Sequence, residues 1–78
     1  MARFYFDIAD GDHINTDDSG HDLADAQAAR TRAVDALRHI ASDLLSAGDE
    51  QSLLVTVRDE NGDRILTAGL VAKILPSR

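Results

Sequence analysis

The stretch from Asp25 to Ala47, DAQAARTRAVDALRHIASDLLSA, is the only part of the chain whose apolar residues recur at helical spacing over several turns. At about 100° per residue, Ala26, Ala29, Ala33, Leu37, Ile40 and Leu44 fall within roughly a third of the wheel, the width of a core-facing stripe. The opposite side carries Thr31, Arg32, Asp35, His39, Ser42 and Asp43 at spacings that suit weak surface pairs, and it reads as a solvated face. Asp25 is the predicted N-cap, because a carboxylate there accepts from unpaired first-turn amides and suits the positive end of the helix dipole. Asp22, one turn earlier, is the alternative, and Gly48 supplies the left-handed residue that closes a helix. The remaining segments are short and have a period of two, so strands must lie against this one helix.

From Arg3 to Ile8, Phe4, Phe6 and Ile8 alternate with Arg3, Tyr5 and Asp7, the pattern of a strand with one buried face. Asp10-Gly11 is a hairpin signal, followed by a weaker, polar second strand from His13 to Asp17. A two-residue Asp-Gly loop would set Ile14 opposite Asp7; a three-residue loop through Asp12, the favoured alternative, pairs Ile14 with Ile8 and Thr16 with Phe6. Asp17-Asp18-Ser19-Gly20 reads as a turn leading through His21 and Leu23 to the helix. Leu53 to Arg58 is the strongest strand. Placing Asn61-Gly62 at a two-residue tip sets Val57 against Leu66, Val55 against Ala68 and Leu53 against Leu70, so one hairpin face is wholly apolar. The last strand runs from Arg64 to Leu70 or on to Ile74, with Gly69 as a candidate bulge and Pro76 as its end.

The predicted fold is α+β: a single domain over residues 1–78 in the order β-β-α-β-β, with an antiparallel sheet ordered 2-1-3-4 and the helix across one face. A helix of this length, roughly 34 Å, overhangs strands of about 20 Å. A second apolar flank, Val34, Ala41 and Leu45, lies beside the main stripe, and Leu54 and Ile65 are left for the outer face of the second hairpin. Such leftover surface suits a symmetric dimer, and Val34, Ala41 and Leu45 are the predicted interface.

At 78 residues, and with no cysteine, the chain lacks the disulfides and thiolate metal sites that reinforce many small domains, which leaves oligomerisation as the substitute. A formal charge of −6 with scattered basic residues argues against direct binding of nucleic acid or an anionic membrane. MARFYF runs straight into Asp7 without a signal-peptide pattern, and no apolar run approaches a membrane span, so the expected setting is cytoplasmic.

Candidate chemistry is concentrated in Asp7 to Asp22, DIADGDHINTDDSGHD. Counted from Asp10, Asn15 stands where a calcium loop needs glycine and His21 where it needs glutamate. His13, Asp17 and His21 could form a weak divalent-metal site, but tight turns demand the same residue types, and turn chemistry is the expectation. Ser19, Ser42, Ser46, Ser52 and Ser77 have no nucleophile-elbow context, and the carboxylates fall on turns and an exposed helix face. There is no glycine-rich phosphate loop. The expectation is a protein without enzymatic activity and without a cofactor.

The aromatic opening RFYFD, the DG turn, the run DDSGHDLADAQAARTRA and the hairpin VRDENGDRIL together resemble a family of small bacterial proteins classed as a domain of unknown function. The resemblance implies a fold and supplies no catalytic residues. The functional expectation is a homodimeric protein-interaction or regulatory module whose acidic surface meets a basic partner protein. An antitoxin-like inhibitor of a basic partner is the alternative, and a weak metal-binding role is the third reading.

Overall fold

The structure is a computed structural model that describes residues 2–44 and 50–73. Its elements are β1 (Ala2–Asp10), β2 (His13–Asn15), β3 (His21–Leu23), α1 (Ala26–Leu44), β4 (Glu50–Arg58) and β5 (Arg64–Lys73). The fold is α+β as expected. The antiparallel sheet has the order β2-β1-β4-β5, and β3 pairs with the first residues of β1. β1 and β4 therefore lie inside, with the short polar β2 at one edge and the long, largely apolar β5 at the other.

Alternation dictates the core. Phe4 and Phe6 of β1 and Leu53, Val55 and Val57 of β4 face the helix and are buried with Ala29, Ala33 and Leu37. Ile8, Leu23, Ile40, Leu66 and Ala68 pack around them. The alanines at the helix centre let α1 lie close to β4 and β5. Ala26, counted in the stripe, stays exposed in the first turn, because the core begins one turn later at Ala29. Asp25 is the N-cap: its Oδ1 accepts from the Ala28 amide at 2.9 Å, while its carbonyl accepts from Ala29 at 3.2 Å. The predicted Gly48 cap, Leu45, and the strand end at Ile74 and Pro76 lie outside the described residues.

The second hairpin has the expected register, with Leu53 opposite Leu70, Val55 opposite Ala68 and Val57 opposite Leu66. Its tip is one residue longer than the two-residue loop. Asp59 and Asp63 close it through Asp59 N to Asp63 O at 2.9 Å, the Gly62 amide donates to the Asp59 carbonyl at 3.1 Å, and Gly62 has φ 86°. This is the pattern of a turn followed by a left-handed glycine. Arg58 then pairs with Arg64, so the strands shift between Val57 and Arg58 and Ile65 becomes the extra residue that restores the apolar pairing. The bulge is thus at Ile65 rather than Gly69, and it carries Ile65 from the expected outer face toward a groove shared with Phe4 and Ala26. Gly69 pairs regularly with Leu54, and a Cβ on it would stand 2.7 Å from Leu54 Cδ2. Its smallness makes room for that leucine.

The first hairpin departs from both registers considered. Asp10 pairs with His13, Ala9 with Ile14 and Ile8 with Asn15, which makes Gly11-Asp12 the turn, with Gly11 at φ 59°. A positive φ at the first central residue demands glycine there, and that requirement prevails over burying Ile14 against Ile8. Ile14 is 71% exposed on the sheet face away from the helix. The expected second strand is cut short at Asn15, since Thr16 to Gly20 leaves the ladder, and His21–Leu23, expected only to lead into the helix, is itself a strand paired with Phe4, Arg3 and Ala2. The expected overhang of the helix is absent within the described residues. The 19 residues of α1 and the nine of β1 both span close to 30 Å.

Candidate functional site

The loop Thr16 to Gly20 interrupts the sheet edge beside the centre of β1. Strand pairing there would have supplied an acceptor for the Phe6 amide. Asp17 supplies it instead: its Oδ2 accepts from Phe6 N at 3.1 Å, and its Oδ1 accepts from Ser19 N and Gly20 N, both at 3.1 Å. One carboxylate thereby serves as a ladder rung and as the cap of its own turn. Glu60 does the same on the other side of β1, where β4 has ended, by accepting from Arg3 N at 2.8 Å. Gly20 has φ 75° at a close approach, and a Cβ would stand 2.9 Å from both Arg3 Cγ and Tyr5 Cε2.

On the outer sheet face Asp7 anchors the loop to β4. Arg58 donates through Nε to Asp7 Oδ2 at 2.6 Å and through Nη2 to Asp7 Oδ1 at 3.0 Å, while the Asp17 amide donates to Asp7 Oδ1 at 3.0 Å. Arg58 Nη2 also donates to the Asp17 carbonyl at 3.0 Å, and the guanidinium lies 5.1 Å from the Tyr5 ring centre. The hydrogen bond from Arg58 holds the Asp7 carboxyl below its ordinary value, against the upward push of burial and with help from the Asp17 amide. Burial pushes Asp17 up, but the Gly20, Phe6 and Ser19 amides outweigh it, with His21 adding to them, so this carboxyl too lies below its ordinary value. Both carboxylates are ionised at neutral pH, and each accepts three hydrogen bonds.

Of the three residues considered for a metal, Asp17 and His21 meet at 3.8 Å, whereas His13 stands at the far end of β1 opposite Asp10. Among the described residues no three of His, Asp or Glu are grouped so as to hold an ion. His21 packs edge-on to Phe6, ring centres 5.4 Å apart. It borders an open groove of about 430 Å³ between the loop and α1, which Phe6, Ile8, Asp17 and Arg32 also line. The sequence marked Asp17 as a turn residue but did not reveal its bond to Phe6 or the tie from Asp7 to Arg58, 51 residues apart. The available signal was an arginine ending the run Leu53 to Val57, in which Thr56 is the one other polar residue. Of the predicted dimer residues, Val34 is 37% exposed, Ala41 is half-buried, and Leu45 lies outside the described residues. No helix among the described residues is long and apolar enough to cross a membrane.

Among the described residues one sheet, one helix and a polar cluster define a small α+β domain in which that cluster ties a loop to a strand. Over residues 3–71 the chain matches the family described as Domain of unknown function (DUF6894), and it belongs to that family. Comparison with curated proteins and with solved structures gives no match.

Proposed function

We propose that the protein is a non-enzymatic, homodimeric protein-interaction module acting in the cytoplasm, with an acidic surface that receives a basic partner protein. The observation that carries this reading is apolar surface left exposed on the helix side of the sheet, beside β5. Arg32 and Ala36 turn toward the groove beside β1, so by helical periodicity Val34 and Ala41 flank the opposite side, above β5. On that side Val34 is 37% exposed, and Leu70 of β5 is 41% exposed although it faces the helix side of the sheet. A self-satisfied polar cluster in place of a reactive one also favours binding over catalysis. The net charge of −6 favours a basic protein partner, as an antitoxin-like inhibitor would have. Sedimentation equilibrium is the test: the reading expects a dimer at micromolar concentration, and a monomer throughout that range refutes it.

A further inference from the structure

Among the described residues, the outer edge of β5 is the one long strand edge with nothing paired to it. Edge strands are ordinarily protected by brevity, proline or charge. β2 and β3 are protected by brevity, at three residues each. β5 runs for ten residues, RILTAGLVAK, with no proline and no charge between Arg64 and Lys73. Its hydrogen-bonding groups have a definite direction. The Phe6 amide points to the outer edge of β1, toward Asp17, and the Gly11 amide reaches the Ser52 carbonyl of β4. With the observed registers, this alternation makes Leu53 with Leu70, Val55 with Ala68 and Val57 with Leu66 the hydrogen-bonded pairs of the last ladder. Thr67, Gly69 and Val71 therefore turn their N–H and C=O groups away from β4.

We propose that this edge pairs antiparallel with the β5 edge of a second copy, about a two-fold axis through Ala68, joining the two sheets into one. The inference rests on the self-association proposed above and specifies its surface. Outward-facing residues can pair only with outward-facing residues, which places the axis at a residue rather than between two. With the axis at Ala68, Thr67 of each copy meets Gly69 of the other, and Leu66 meets Leu70 on the helix side. The bulge at Ile65 puts Arg64 on the outer face, so the regular pairing runs from Leu66 to Leu70 of each copy and Arg64 lies just beyond it, beside Lys73 of the other. Moving the axis to Gly69 would face Leu66 with Ala72 and lose both leucine pairs. The same pairing sets the Val34 flank of each helix over the joint.

The absence of cysteine from the chain supplies the test, because a single introduced thiol is unambiguous. Residues directly opposite on paired strands have Cβ atoms about 4.5–5.5 Å apart, close enough for small strand movements to bring two thiols into disulfide geometry. Under mild oxidation Ala68→Cys is expected to give a disulfide-linked dimer and Ile14→Cys, on the opposite edge, is not. Thr67→Pro removes an outward amide that β4 does not use and is expected to sediment as a monomer with an unchanged circular dichroism spectrum. A dimeric protein that cross-links through Ile14→Cys but not Ala68→Cys would overturn the β5 edge and leave self-association standing. A monomeric wild type would overturn both, including one whose β5 edge takes up an extended peptide from another protein. If Thr67→Pro does not fold, the cysteine pair decides alone.

Discussion

Asp17 shows how much one side chain can organise in a sheet this small. Its carboxylate occupies the place of a missing strand residue, and Asp7 and Arg58 hold the backbone around it, with the Arg58 guanidinium over the Tyr5 ring. Because hydrogen bonds to charged groups are worth about 1.5–3 kcal/mol each when partly buried, Asp17→Ala should lower unfolding stability at neutral pH by roughly 2–3 kcal/mol. The deficit includes the cost of leaving the Phe6 amide without an acceptor. Asp7 and Asp17 both have folded values below their ordinary 3.8, so the stability they confer is fully present above that pH and is lost as the pH falls through the depressed values. Urea titrations of wild type and Asp17→Ala should therefore differ most at neutral pH and converge in strong acid. A gap that stays constant would show that ionisation of Asp17 plays no part. Sequence pattern could name Asp17, Ser19 and Gly20 as a turn because that chemistry is local. The use of the turn to complete a neighbouring strand is non-local and leaves no period to read.

At the level of elements the same distinction recurs. The helix start was readable because Asp25 and Ala28 are three residues apart. Asp25→Ala should cost about 1 kcal/mol and speed amide exchange in the first turn of α1, while exchange at Val55 and Val57 follows only the global loss. Equal acceleration at both places would mean that the cap supports the whole fold rather than the helix end. The apolar register of the second hairpin was also readable, since Leu53, Val55 and Val57 each found an apolar partner. The bulge at Ile65 was not, because a longer tip and a compensating extra residue return the strands to the same register. β3 has only His21, Asp22 and Leu23, and Arg3 ties it down through Nε to Asp22 Oδ1 at 3.2 Å and Nη1 to the Ser19 carbonyl at 2.6 Å. Three residues carry no periodicity, and pairing alone makes them a strand.

Across the whole molecule, acidic side chains concentrate at one end, while the apolar flank of α1 at Val34 has Arg30 and Arg38 one turn to either side. By helical periodicity the Val34 flank of α1 lies on the β5 side, and Asp22, Asp25, Asp59, Glu60 and Asp63 gather where the helix begins and the second hairpin turns. A second apolar row, Ile14, Leu54 and Val71, lies on the uncovered sheet face, with Val71 68% exposed. Two copies of a chain carrying −6 repel each other, and screening weakens repulsion between exposed charges once the Debye length, about 10 Å at 0.1 M salt, is shorter than their separation. Self-association through the uncharged β5 edge should therefore tighten as salt is raised, and the complex with a basic partner should loosen. Val34→Asp together with Ala41→Asp adds charge to the flank above β5 without entering the Ala29, Ala33 and Leu37 stripe, so it should give a folded monomer at low salt. Because the added repulsion is itself screened, partial recovery of the dimer at high salt is expected. A dimer that weakens with salt would place acidic and basic groups face to face across the interface, a surface unlike that of β5.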